Sequence, residues 1–407
     1  MTVAANSRVV VQKVSDPGTD VLDFSAPVLG KIQQGLYQGL QAEGDFLASV
    51  RNCRVFIKPN LVRPDPKRVP AMATDGRVIL ALADLLLAHG AGEISVGDNP
   101  GFTLPFRRAI ADAGIVAELE KRRVRLVAID ELPVRRVPIA QARLFRSYDQ
   151  PVLDYDLFIN LPKMKTHMHA IVSLGIKNLY GLVLDAQRLT FHRQDIHRKL
   201  VELLHVYQPD MNIVDGLVPM QGQAPLSGEP VFGFNTLVLG RDIVAVDATA
   251  TRLMGIEPRE VDSLRLAAKQ GFGRLDSRNI SVIGDCAAAK PFKRAVLSSA
   301  GAFDPVESIE CGVCAGCLSG IRHSLDKLQF EGNLRRLKDR ITLFSGRPMQ
   351  NMATLPALSG PLILFGNCAF DLLHYAPAQR SRALLVPGCA PHVLDLYRLL
   401  HKEFLDG

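Results

Sequence analysis

The chain has no tryptophan, and aromatic residues make up only 6% of its 407 positions. A protein that binds single-stranded nucleic acid interleaves aromatic platforms with basic charge. The net charge of +7 therefore points to small anions and not to nucleic acid. There is no GXXXXGK[ST] loop and no GXGXXG turn, which removes the two standard nucleotide cradles. No apolar run is long enough to span a bilayer, and MTVAANSRVVVQKV at the amino end lacks the apolar core of a secretory signal. The expectation is a cytoplasmic protein with no membrane partner. His167 and His169 alternate instead of recurring four residues apart on a helix, so a HEXXH-type zinc site is not indicated.

What is present is apolar sequence in quantity: 47% of residues are hydrophobic and 22% charged. That is a globular composition, and the chain is too long for one ordinary core. A helical pattern covers residues 28–40. From Arg54 onward an apolar run, a polar turn with Gly, Asn or Pro, and a helical stretch recur. This alternation predicts an α/β fold, a mostly parallel sheet with helices on both faces. Strands are expected at residues 55–57, 94–96, 124–129, 213–214, 237–239 and 282–283. Small and polar residues after 290 suggest a boundary between a domain at 1–290 and a smaller α/β domain at 291–407, with strands at 341–344, 362–365 and 384–386.

The organising stretch is residues 156–183, DLFINLPKMKTHMHAIVSLGIKNLYGLV. Its first apolar run reads as a buried strand ending in Asn160, and Pro162 is expected to stop sheet pairing and open a loop. Lys163, Lys165 and His167 follow at once, and are the candidate catalytic groups. A parallel sheet places the residues that follow its strands on one rim, where open α/β sheets bind ligands. That gathers Lys58, Asn60, Asp75, Asp98, Asn99, Lys177, Asn178 and Asp215 as candidate substrate-binding residues. Cations in so apolar a sequence are costly without partners, and a bound anion is the simplest partner. Two other readings stay open: the lysines form a solvated face, and the aspartates cap helices and turns. Thr74 or Asp75 is expected to cap a helix whose free N–H groups would attract an anion. The basic residues Arg122, Arg123, Arg125, Arg135, Arg136, Arg143 and Arg146 read as a solvated hairpin or a contact in a homo-oligomer.

Five of the seven cysteines lie in the carboxyl-terminal part. Cys311, Cys314 and Cys317 match the first three ligands of a bacterial ferredoxin run, but position 321 is Ile, so Cys368 or Cys389 must supply a fourth thiolate. Without a secretory signal a disulfide framework is not expected. A [4Fe-4S] cluster is the expected cofactor, with zinc or direct thiol chemistry as alternatives. Cys53 and Cys286 read as small buried hydrophobes.

KPNLV (58–62), GDNPG (97–101), NLPKMKTH (160–167), GIKNLYG (175–181) and VDG (214–216) resemble the successive signatures of domain of unknown function family 362, in its iron–sulfur form. The resemblance covers about residues 50–260 and implies no general activity. A looser similarity to the lactate racemase nickel-enzyme domain would imply racemisation or epimerisation. The residues and the resemblance together lead to an iron–sulfur oxidoreductase passing electrons between its cluster and a small anionic substrate. The alternatives are an electron carrier that serves a redox partner protein, and the epimerase.

Overall fold

The computed structural model describes residues 6–67, 69–101, 104–139, 147–151, 153–185, 187–188, 196–225, 227–284, 289–348, 360–375, 377 and 380–406. They form two compact units, the first made of the residues up to Arg188 and of His197–Arg294, the second of Ile196 and the residues from Ala295 on. Each is α/β, with a large mostly parallel sheet in the first and a small parallel sheet in the second.

The strands of the first unit are β1 (Ser7–Lys13), β2 (Arg54–Pro59), β3 (Glu93–Asp98), β4 (Arg125–Ala128), β5 (Val134–Pro138), β6 (Ser147–Pro151), β7 (Leu157–Leu161), β8 (Lys163–His167), β9 (Ile171–Ser173), β10 (Met211–Gln223), β11 (Ser227–Pro230), β12 (Thr236–Gly240) and β13 (Ile280–Gly284). The main sheet has the order β13-β1-β12-β10-β7-β2-β3-β4. From β4 to β10 its neighbours run parallel, whereas β12 is antiparallel to both β10 and β1. In β2 and β3 every residue but the first is buried, as in strands covered on both faces. The helix Ala26–Glu43 buries Leu29, Ile32, Leu36 and Leu40, one stripe at helical spacing that turns the segment into a lid on the core.

Two expectations about local structure are corrected. Residues 163–167 are not a loop: β8 pairs with β10 in parallel, Lys163 opposite Asp215, and with β9 antiparallel. Pro162 removes only an N–H; its carbonyl still accepts from Asp215 N at 2.8 Å, so pairing resumes at the next residue. Asp215 and Gly216 are not a turn either, because they lie inside β10, which runs on to Gln223. Of the basic stretch, Arg135 and Arg136 lie exposed in a hairpin, β5 antiparallel to β6; Arg122 instead ends helix Val116–Lys121, half-buried against Asp84 and Glu118, and Arg125 begins β4 of the main sheet. Arg143 and Arg146 lie outside the described residues. Cys53 is half-buried beside the core, with its Sγ donating to Ser49 O, so it is not the buried residue expected; Cys286 is outside the described residues.

In the second unit β14 (Val306–Cys311), β15 (Ile341–Gly346), β16 (Leu362–Phe365) and β17 (Leu384–Val386) lie parallel in sequence order. Helices Ala315–Phe330 and Asp395–Phe404 contribute Ile321, Leu325, Leu328, Leu396 and Leu400 to its core.

Candidate anion site and thiol group

The first site is built on a row across the parallel strands. Lys58 on β2 stands opposite Asn160 on β7, which stands opposite Asn212 on β10. All three are fully buried. Asp98 at the end of β3 joins them: its Oδ1 accepts from Lys58 Nζ at 2.7 Å and its Oδ2 from Leu61 N at 2.7 Å. The short helix Gly175–Asn178 brings Asn178 over this row. A one-way chain of amides results. Asn60 Nδ2 donates to Asn178 Oδ1 (3.2 Å), Asn178 Nδ2 to Asn160 Oδ1 (2.8 Å), and Asn160 Nδ2 to Asn212 Oδ1 (3.0 Å). Each bond polarises the next, so the chain is stiffer than its members taken singly.

The anion expected opposite these lysines is, for two of them, a carboxylate of the protein itself. Lys58 pairs with Asp98, and Lys163 pairs with Asp215 at 3.0 Å, all four side chains buried. The solvated-face reading fails for both. Burial pulls the Lys58 pKa down, and Asp98 opposes that shift. Lys165 differs. Its buried Nζ donates to Asn60 Oδ1 at 2.7 Å and Met72 O at 2.8 Å, both uncharged, and among the described residues it has no carboxylate. Burial, then the charges of Lys177 and Lys163, bring its pKa well below the ordinary lysine range. Lys177 is partly exposed, with its ammonium 5.3 Å from the centre of the Tyr180 ring. Burial and the nearby Arg188 and Lys58 lower its pKa to about 8. Among the described residues Lys165 and Lys177 are thus the two lysines of the group left without a carboxylate partner, Lys177 at the partly exposed side and Lys165 buried.

The other expected residues have structural work. Asp75 caps helix Gly76–Ala88 by accepting from Arg77 N, and its carboxylate also holds the buried Arg77 guanidinium. The helix end expected to attract an anion is therefore filled by a side chain. Asp215 accepts from Asp75 N at 2.8 Å as well as from Lys163. Asn99 donates to Val183 O and ties the 179–183 segment to β3. His167 ends β8, and its Nδ1 accepts from His169 N at 3.0 Å and from Ala170 N at 3.3 Å, so the ring shapes the turn into β9. By strand alternation it shares a side of β8 with Lys163 and Lys165.

Asp247 had not been read as part of any site. It sits in the apolar helix Ile243–Leu253, buried, and accepts from Gly175 N at 2.7 Å and Ile176 N at 2.8 Å. It thereby sets the short turn that carries Lys177 and Asn178. Burial raises its pKa to about 7 against the pull of those two N–H groups. The signal was a lone carboxylate in an apolar, alanine-rich helix, where a polar residue is the informative one.

In the second unit Cys311 ends β14, Cys368 follows β16 and Cys389 follows β17, so parallel strands deliver all three to one edge. Cys314 is the N-cap of helix Ala315–Phe330 and Cys317 lies in its first turn. The Cys317 thiol, pushed up to about 12 by burial, also feels Cys314, Cys368 and Cys389. Gly366 makes room for it: a Cβ there would stand 2.9 Å from Cys317 Sγ. Cys311 packs instead with Phe344, Leu362 and Leu364, in a different apolar cluster from Cys317. Among the described residues no three His, Cys, Asp or Glu side chains are already close enough to share an ion. Cys317 and the three thiols that act on it are a neighbourhood of soft ligands and not a formed site.

The row Lys58–Asn160–Asn212 and the turn above it coincide with a known sequence family. Residues 55–252 match the family described as Domain of unknown function (DUF362). A thylakoid-associated protein, sll1697, from Synechocystis sp. (strain ATCC 27184 / PCC 6803 / Kazusa) is 29% identical over 240 residues, 54% of this chain and 68% of that protein. A crystal structure of a Thermotoga maritima protein aligns with 93% of this chain and 99% of its own, at 13% identity and a TM-score of 0.38; so loose a likeness carries no argument. The matched segment contains every residue of the lysine site, and the second unit's thiols lie beyond it. Among the described residues no helix is long and apolar enough to cross a membrane.

Proposed function

We propose that this protein is an iron–sulfur oxidoreductase of the DUF362 kind, binding a small carboxylate- or phosphate-bearing substrate at Lys165 and Lys177. The observation that carries the anion half is the contrast between buried cations. Lys58, Lys163 and Arg77 each have a carboxylate, whereas Lys165 has only two neutral acceptors. An anion bound there would make charge-assisted hydrogen bonds, about twice as strong as neutral ones. Asn60 and the amide chain behind it hold the Lys165 nitrogen in place, and Lys177 at the partly exposed side meets the anion first.

The cluster half rests on the chemistry of the donors: thiols only, spaced C-x2-C-x2-C with two more at neighbouring strand ends, a soft set that suits an iron–sulfur centre. Cys314, Cys317, Cys368 and Cys389 would hold it, with Cys311 the fifth candidate. When bound, such a cluster supplies one-electron transfer.

Anaerobic purification with iron and sulfide analysis and a visible spectrum tests the cofactor. Iron with matching sulfide supports it, and zinc alone defeats it. A thermal-shift screen of phosphate and small carboxylates on the wild type and on Lys177→Met tests the anion site. Cluster reduction that never depends on an added metabolite would leave an electron carrier in place of the enzyme.

A further inference from the structure

The hydrogen bonds of Lys165 suit an amine better than an ammonium. A neutral amine has two N–H groups and a lone pair. Here two acceptors, Asn60 Oδ1 and Met72 O, take two N–H groups, and no carboxylate or third acceptor stands by among the described residues. Of the three charges that act on it, Lys177 and Lys163 are cations and weigh more than the one carboxylate, Asp98, which is already paired with Lys58, as Lys163 is with Asp215. Desolvation beside another cation is how proteins turn a lysine into a nucleophile. The nitrogen lies one side chain below the surface, since Asn60 and Lys177 are both partly exposed.

We propose that Lys165 is a nucleophilic amine that forms a Schiff base with a 2-oxo acid, whose carboxylate is held by Lys177. This rests on the anion site proposed above and names the substrate class for it. The Nζ lone pair attacks the carbonyl carbon and a C–N bond forms. The carbonyl oxygen then leaves as water, carrying both amine protons, and a C=N bond remains. No electrons are gained or lost. Lys58 and Lys163 are excluded from the role because each is locked to a buried carboxylate.

The full-length protein is incubated with glyoxylate, pyruvate, 2-oxobutyrate or 2-oxoglutarate together with sodium cyanoborohydride, which delivers hydride to the imine carbon and fixes the adduct as a secondary amine. Intact mass and peptide mapping then locate it. The expected result is one adduct, at Lys165, with at least one of the acids. It is lost in Lys165→Arg, whose guanidinium keeps the donors but cannot form the imine, and it is suppressed by inorganic phosphate competing for Lys177. Adducts confined to exposed lysines such as Lys402, or none with any of the acids, overturn the proposal. If Lys165→Arg does not fold, mapping and phosphate protection on the wild type decide alone. Oxo acids that raise the melting temperature without an adduct sink the Schiff base and leave the anion site standing. An adduct at Lys165 in protein that holds no cluster keeps the Schiff base and sinks the oxidoreductase.

Discussion

Gly181 lies against the Lys58–Asp98 ion pair: a Cβ at that position would stand 2.4 Å from Asp98 Oδ1 and 2.6 Å from Lys58 Nζ. The turn after Asn178 therefore closes over the buried pair with backbone alone. This gives a physical reason for the last glycine of GIKNLYG.

Gly181→Ala should push the two charges apart in a space with no slack. Overpacking of this kind costs about 1–3 kcal/mol. Urea unfolding measures it, and a variant as stable as the wild type would show that the 179–183 segment does not press on the pair.

Lys58→Met leaves Asp98 buried and uncompensated. Removing one partner of a buried pair costs about 3–5 kcal/mol. The double variant Lys58→Met with Asp98→Leu should recover part of that loss, because two apolar groups leave no orphan charge. A double variant less stable than the single one would mean that Asp98 is held mainly by Leu61 N and Asn99 N.

The lowered pKa of Lys177 gives the anion site a pH dependence. The ammonium is the binding form, so affinity is full below about 8 and falls as pH rises through it. A bound anion favours the ammonium, so binding near that pH takes up protons. Calorimetry with phosphate in buffers of different ionisation enthalpy should read that uptake, and Lys177→Met should abolish it. A wild-type affinity that stays flat from about pH 7 to about pH 9 would remove Lys177 from the site.

Asp247 has a folded pKa of about 7, above the ordinary value of 3.8. Its protonated form is therefore favoured by folding. The stability it contributes is fully present below the unfolded pKa and is lost as pH rises through about 7, at no more than about 1.4 kcal/mol per pH unit. Asp247→Asn should remove that slope between the two values. It should also lower stability by about 1–3 kcal/mol, since an amide accepts from one of the Gly175 and Ile176 N–H groups and confronts the other with a donor. Denaturant unfolding at stepped pH separates the two effects; an unchanged slope in the variant would assign it to another group.

The sequence by itself determined the α/β class and the placing of Lys58, Asp98 and Lys163 near one rim, because apolar strand runs and the turns that end them are local signals. It also showed that three cysteines share a short loop and that others end later strands. Tertiary structure alone decided which carboxylate meets which lysine. Lys58 and Asp98, or Lys163 and Asp215, meet only through the register of strands that pair across long stretches of chain. Four lysines were indistinguishable until that register paired Lys58 and Lys163 with carboxylates and left Lys165 and Lys177 without one among the described residues. Pro162 misled for a related reason. Loss of one N–H breaks a strand only where that N–H faces a partner, and here the partner strand needed its carbonyl.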